Sequence, residues 1–283
     1  MKKTGISRRE FLKGSAAGAV SLAAMGLLSA CGDNGSTPTT TAPTPDAASS
    51  SQDWLGQQPQ IQDSEIKETW NTGVLIVGAG NGGMMAAVKA ADAGLDFRII
   101  EQNTFVCDTR NWYAAADSVD ALAAGKPIDR QRAMSELSRY ASGKLDQSVV
   151  KVWLDESAAM HDYVKAIMDS YGYDCYFEAD TGMAEEGTDY YHAPTQHNYN
   201  ARPDSEWKDT PRNKLFVDYI EKKGYHVDFE HTLVELIREE GAVKGAIVQN
   251  GAGDYIKVLA PQGVIIATGG YEGNAEMMEA LSP

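Results

Sequence analysis

Residues 78–83 read Gly-Ala-Gly-Asn-Gly-Gly, a G-x-G-x-x-G pattern whose spacing suits a phosphate-binding turn. Gly78 allows a sharp turn out of a strand, and Gly80 lets the backbone approach a pyrophosphate without an intervening Cβ atom. Gly83 lets the following helix pack closely. Free N–H groups at that helix N-terminus favour negative charge. The motif therefore predicts dinucleotide binding, and by itself it leaves both FAD and NAD open.

The flanking residues supply the elements that such a turn needs. Val74–Val77 is a β-branched apolar run typical of a buried strand, and residues 84–93 favour a helix that ends at Gly94. Residues 97–100 predict a second strand, and Glu101 follows it, 18 residues after Gly83. A carboxylate there can accept hydrogen bonds from ribose hydroxyls and disfavours a 2′-phosphate.

A second glycine turn lies near residue 270. Residues 264–267 are apolar and predict a strand, and Thr-Gly-Gly follows at 268–270. Before it, residues 214–223 favour a helix. Four further runs predict strands of a small antiparallel meander beside a parallel sheet: 225–229, 232–238, 246–249 and 255–259.

The middle of the chain predicts helices over 129–143 and 146–169, the second with apolar residues at three- and four-residue steps. His161 lies on that apolar face, so a packed core histidine is favoured over a ligand. Residues 185–200 are polar and aromatic; we favour an exposed loop over a substrate contact. His192 and His197 lie five apart with no acidic third ligand at helical spacing, so we expect no metal.

Composition limits the possible classes of protein. The chain has 283 residues, 43% hydrophobic and 23% charged, as in ordinary globular domains. A net charge of −15 argues against nucleic acid as a partner. Three cysteines are too few for a disulfide framework; Cys107 and Cys175 could pair, but two separate thiols are favoured.

The N-terminal residues 1–31 predict an export signal. Ser-Arg-Arg-Glu-Phe-Leu-Lys at 7–13 matches a twin-arginine signal, and the apolar run after it is short and mild for a membrane span. Leu-Ser-Ala-Cys at 28–31 resembles a lipoprotein cleavage site, at which Cys31 would carry the lipid; plain cleavage is the alternative. Residues 32–68 predict a flexible linker, and 69–283 the folded domain. We expect an exported protein that is either periplasmic or held by lipid at Cys31 to the outer face of the cytoplasmic membrane.

The stretches VLIVGAGNGGMMAAVKAADAG, IIEQN, HTLVELIREEGAVKGAIV and GVIIATGGYEGN, in this order, resemble the FAD-binding domain of the fumarate reductase/succinate dehydrogenase flavoprotein family. The resemblance covers about residues 70–283. It implies an α/β, Rossmann-like domain that binds FAD. It also implies a two-electron oxidoreductase that passes hydride between flavin and a C–C bond next to a carboxylate or carbonyl, such as an unsaturated acid or enone.

The resemblance also implies a set of cofactor contacts. The first motif would hold the FAD pyrophosphate, the acid after the second strand the ribose, backbone near Val234 the adenine, and the second glycine turn the middle of FAD. Thr109 would stand in for a threonine that wraps the flavin. The residues are Gly78, Ala79, Gly80, Asn81, Gly82, Gly83, Glu101, Gln102, Thr109, Val234, Ala267, Thr268 and Gly269.

This sequence departs from the family pattern in three respects, which limit the function that we expect. The histidine that attaches FAD covalently in some relatives has no match, so non-covalent FAD is expected, and without a haem motif the electron donor is external. A capping domain with the substrate arginines and histidines is not recognisable in residues 69–283. We therefore name no catalytic acid and expect a truncated oxidoreductase. The alternatives are an electron-transfer module completed by a second polypeptide, or a non-catalytic remnant.

Overall fold

The computed structural model describes residues 58–107, 112–178 and 190–281. A 3-10 turn at Asp63–Glu65 precedes the first strand. The strands are β1 (Ile66–Asn71), β2 (Val74–Val77), β3 (Phe97–Glu101), β4 (Tyr113–Ala114), β5 (Tyr173–Phe177), β6 (Gln196–Ala201), β7 (Val227–Phe229), β8 (His231–Glu239), β9 (Ala242–Asn250), β10 (Tyr255–Leu259) and β11 (Gly263–Ile266). The helices are α1 (Asn81–Asp92), α2 (Val119–Ala123), α3 (Arg130–Tyr140), α4 (Gln147–Ser170), α5 (Arg212–Glu221) and α6 (Ala275–Leu281).

A parallel sheet in the order β11-β2-β3-β7 forms the centre of the fold. β2 and β3 alternate their side chains between two buried faces, whereas Ile265 and Ile266 at the end of β11 are exposed. Ile76 and Ile99 join a core with Met84 and Val88 of α1 and Phe216 of α5. Because β2 and β3 are covered on both faces, their sequences read as largely apolar runs.

The other face of this sheet packs on a second sheet in the order β1-β10-β9-β8. Leu75, Val77 and Ile100 meet Val248 and Val258 across this interface. The ladders of β8, β9 and β10 are antiparallel, whereas β1 joins β10 in parallel. The predicted α/β fold with a parallel sheet and an antiparallel meander is therefore confirmed.

A third sheet in the order β4-β6-β5 lies with α2, α3 and α4. The two long helices match the predictions for 129–143 and 146–169. Asp129 and Asp146 begin them as N-caps, their carboxylates accepting the N–H groups of Arg132 and Ser148. In the described ranges no helix has the length and apolar character needed to span a membrane.

Three sequence expectations differ from the structure. The linker was predicted to reach residue 68, but β1 starts at Ile66 because its backbone pairs with β10. The strand predicted at 225–229 belongs to the parallel sheet, since β7 pairs with β3 and not with the meander. The expected exposed loop at 185–200 was wrong at its end, because His197 lies fully buried in β6.

Some predictions fall outside the described residues. These are the leader with Cys31, the linker up to residue 57, Thr109, and residues 185–189 of the predicted loop. Of the other two cysteines, Cys107 and Cys175 are both free thiols, so the separate-thiol interpretation is confirmed.

His161 and His197 form a buried imidazole pair with ring centroids 4.3 Å apart, and neither side chain is exposed. His197 Nδ1 donates to the Thr195 carbonyl at 2.8 Å, which leaves Nε2 to accept from the Ser118 hydroxyl at 2.7 Å. Burial lowers the pKa of His197, and the positive charge that His161 can carry lowers it further. The folded protein therefore holds this imidazole neutral.

We predict that acid destabilises the protein through His197. In the unfolded chain this side chain takes up a proton near its ordinary pKa of about 6.5, whereas in the folded chain its pKa is lower. The free energy of unfolding should therefore fall as the pH drops below about 6.5. Urea unfolding at pH 7.5 and 5.5 measures the difference.

His197→Gln should cost about 1–3 kcal/mol at pH 7.5, through its lost buried hydrogen bonds, and should flatten this pH dependence. His226→Gln is the control, since the His226 side chain is 64% exposed. An unchanged pH dependence in His197→Gln would contradict the assignment.

Candidate cofactor site

A cavity of about 590 Å³ lies at the carboxyl ends of β2, β3 and β11. In open α/β sheets ligands bind at this edge, where the strands deliver their turns and helix N-termini. The start of β8 closes one side. The described lining residues are Val77, Gly78, Gly80, Asn81, Gly82, Glu101, Gln102, Asn103, Cys107, His231, Thr232, Leu233, Ala267, Thr268 and Gly269.

Two glycines of the first motif are required by contacts within the protein. Gly78 has φ +97°, and a Cβ there would lie 2.5 Å from the carbonyl oxygen of Ala267. A Cβ on Gly83 would overlap the carbonyl oxygen of Gly78. The turn, the first turn of α1 and the tip of β11 therefore touch because side chains are missing at both positions.

Gly80 is required by neither conformation nor packing. It is the N-cap of α1 with φ −75°, and a Cβ there would meet no protein atom within 4 Å. It would project into open space beside the first-turn N–H groups of α1, which have no partners within the helix. An anionic diphosphate fits this place, so the residues present suit a dinucleotide cofactor.

Glu101 ties the turn to the end of β3. Its side chain is buried, at 5% exposure, and one carboxylate oxygen accepts the Ala79 N–H at 2.7 Å. The other oxygen accepts from the backbone and side-chain amides of Asn103, at 3.0 and 2.7 Å. A carboxylate can accept about four hydrogen bonds, so capacity remains for a ribose hydroxyl. The predicted ribose contact stays a prediction.

Most of the residues predicted for the cofactor meet at this cavity. Ala79 and Gly83 lie behind its wall as buried residues of the turn and helix. The wall at β8 is made by His231, Thr232 and Leu233, so a contact through Val234 stays a prediction. The predicted lining residues that do lie there are Gly78, Gly80, Asn81, Gly82, Glu101, Gln102, Ala267, Thr268 and Gly269.

The sequence interpretation missed three kinds of residue. Asn103 could have been found, because an Asn two positions after a strand-ending acid can bond back to it. No local sequence pattern indicates that His231 and Cys107 line the cavity. Arg212 and Asn213 both donate to the Asn81 side chain, and nothing in the spacing over 131 and 132 residues indicates this.

A buried polar network lies among the third sheet and α4. The Tyr113 hydroxyl lies 2.9 Å from His161 Nδ1, and His161 Nε2 lies 3.1 Å from Asp120, which pairs with Lys165 at 2.6 Å. Burial raises the pKa of Tyr113. Burial would also raise the pKa of Asp120, but hydrogen bonds from Lys165 and His161 hold it below its usual value. His161 is therefore a partnered core histidine, as expected.

No metal cluster is found where the structure can be described: no three His, Cys, Asp or Glu side chains there could hold an ion together. The parallel sheet, the glycine turn at its carboxyl edge and the buried acid on the next strand define the class of dinucleotide-binding α/β domains. A family model described as FAD binding domain matches residues 73–283. The chain belongs to this family of FAD-dependent oxidoreductases.

Individual relatives agree with this placement. A vinyl phenol reductase of Lactiplantibacillus plantarum is 24% identical over 215 residues, covering 74% of this chain. The chain spans about 40% of the length of that curated relative.

Two solved structures share the fold. The 3-ketosteroid-delta4-(5alpha)-dehydrogenase from Rhodococcus jostii RHA1, in complex with 4-androstene-3,17-dione, aligns with a TM-score of 0.59 and 17% identity, over 79% of this chain and 51% of that one. A flavocytochrome c3 fumarate reductase in its open conformation aligns with a TM-score of 0.56 and 20% identity, over 77% and 36%.

We predict that Gly80→Ala separates cofactor binding from folding. The added methyl group meets open space in the protein, so the melting temperature of the apoprotein should stay within about 2 °C of wild type. The methyl group would occupy the space of a diphosphate, so the dissociation constant for FAD should rise at least about tenfold, or about 1.4 kcal/mol. Thermal unfolding and flavin fluorescence titration give the two numbers.

Gly83→Ala is the matched comparison, since its methyl group overlaps the Gly78 carbonyl. We expect it to lower the stability of the apoprotein by about 1–3 kcal/mol, as overpacking does. Wild-type FAD affinity in Gly80→Ala would show that the diphosphate does not approach this backbone.

Proposed function

We propose that the whole protein is an exported oxidoreductase that passes two electrons between non-covalently bound FAD and a C–C double bond conjugated with a carboxylate, a carbonyl or an aromatic ring. An external donor supplies the electrons. The observation that carries the proposal is the cavity beside Gly80, where open space, the first-turn N–H groups of α1 and the buried Glu101 suit a dinucleotide. Bound FAD supplies the hydride chemistry, and the residues of this chain bind and orient it.

The relatives support the substrate class. Vinyl phenol, fumarate and 4-androstene-3,17-dione each carry a C–C double bond in conjugation with a ring, a carboxylate or a ketone. A flavin can exchange hydride with such a bond, because the neighbouring group stabilises the charge that develops.

The FAD and substrate proposals are tested on the purified whole protein. We expect flavin absorbance and release of FAD by acid precipitation, because no covalent bond holds it. After anaerobic reduction by dithionite, the flavin spectrum should return on addition of at least one of three acceptors: 4-vinylphenol, fumarate or 4-androstene-3,17-dione.

Each alternative has its own outcome. Flavin that stays with the acid-precipitated protein would contradict non-covalent binding. Reduced flavin that reoxidises with a dye but with no unsaturated acceptor would favour an electron-transfer module. A protein that binds no FAD after reconstitution would contradict the proposal altogether.

We also propose export by the twin-arginine machinery, followed by lipid attachment at Cys31. The support is the residue pattern at 7–13 and at 28–31. The route carries folded proteins, which suits a domain that must first acquire FAD. The linker after Cys31 would then hold the domain away from the membrane surface.

We predict that Arg8→Lys combined with Arg9→Lys retains the protein in the cytoplasm, where it accumulates with its leader uncleaved. Cys31→Ser should move exported protein from the membrane to the soluble fraction. Fractionation and immunoblotting measure both results, and Lys13→Arg, which keeps the arginine pair, is the control. Normal export of the double variant would contradict the route, and membrane attachment of Cys31→Ser would contradict lipidation.

A further inference from the structure

Helix α5 packs its first turn against the first turn of α1, behind the cofactor cavity. Arg212 and Asn213 begin α5 and are both buried, with Arg212 6% and Asn213 0% exposed. Asn81 begins α1 and lines the cavity. The first turns of α1 and α5 therefore meet at the Asn81 side chain, and the same residue lines the cavity.

Both buried residues donate to the same atom. Arg212 Nη2 lies 3.2 Å from Asn81 Oδ1, and Asn213 Nδ2 lies 2.9 Å from it. Asn213 also donates to the carbonyl of Cys107 at 2.6 Å, so it links the two walls of the cavity. Since only the oxygen of an amide can accept both donors, the orientation of Asn81 is fixed. The NH₂ group is then the end that does not face Arg212 and Asn213, and Asn81 lines the cavity.

Arg212 also brings a permanent positive charge to this place. Its guanidinium carbon lies 5.5 Å from the ring centre of Tyr113 and 5.7 Å from that of Tyr199, so aromatic faces hold it in position. The N-terminus of α1 adds its partial positive charge beside it. In a chain with a net charge of −15, this is a local environment suited to an anion.

We propose that Arg212 and Asn213 are positioning residues for the cofactor diphosphate. They hold the Asn81 amide with its NH₂ group toward the diphosphate oxygens, and Arg212 keeps a positive charge behind the helix N-terminus. This inference rests on the proposed use of FAD. It adds two residues of α5 to the binding apparatus of the first glycine motif.

Asn81→Asp tests the orientation of the amide. The carboxylate keeps an acceptor for Arg212 and Asn213 but loses the NH₂ donors and faces the diphosphate with negative charge. We expect the dissociation constants for FAD and for ADP, a probe that carries the diphosphate without flavin, to rise at least about tenfold. An acidic residue in a first helical turn is otherwise stabilising, so the melting temperature of the apoprotein should not fall. A merely structural role would give the opposite pair of results.

Arg212→Met tests the charge and keeps most of the side-chain volume. It should weaken FAD and ADP binding at least about tenfold, and Arg212→Lys should recover part of the loss. Lys214→Met removes one exposed positive charge from the same helix and should leave both affinities unchanged. Should Arg212→Met fail to fold, Arg212→Lys and Asn81→Asp still decide the outcome.

Wild-type affinities in Asn81→Asp and in the folded Arg212 variants would overturn this inference while leaving the proposed function intact. Equal weakening by Lys214→Met would also overturn it, since the effect would then be general charge. Wild-type protein that binds neither FAD nor ADP would overturn both proposals.

Discussion

The close approach of three backbone segments at the carboxyl edge of the parallel sheet is the constraint on which the rest of the structure depends. The turn after β2, the first turn of α1 and the tip of β11 touch where Gly78 and Gly83 have no side chains. The Ala267 N–H donates to the Val77 carbonyl at 2.8 Å, which continues the β11–β2 ladder to this point. The cavity exists because these segments meet here and leave the space beside Gly80 open.

Buried polar groups then fix the walls of the cavity. The Glu101 carboxylate accepts a hydrogen bond from Ala79 in the turn after β2 and another from Asn103, which follows β3. Asn213 holds Asn81 on one wall and Cys107 on the other. A buried carboxylate or amide costs free energy unless it is hydrogen-bonded, so each of these groups has a narrow choice of geometry. Hydrogen bonds within the protein therefore hold these wall residues in position, which lowers the conformational cost of binding.

The two faces of the parallel sheet have separate roles. On one face α1 and α5 meet, and their first turns bring Asn81 and Arg212 together. On the other face the meander packs through Val248 and Val258, and the start of β8 delivers His231 to the cavity wall. The site is thus assembled from both layers, with the edge of the sheet between them.

The sequence by itself determined the local features of this protein. The glycine spacing, the apolar strand runs, the acid at position 101 and the amphipathic helices follow from rules that act over a few residues, and the structure bears these out. Tertiary structure alone decided that β7 pairs with β3, that β1 extends the meander, that His197 is buried, and that Arg212 reaches Asn81. Strand pairing, and side-chain contacts between residues more than 130 positions apart, depend on how crossover connections place whole elements. The periodicity of a single segment carries no information about that placement.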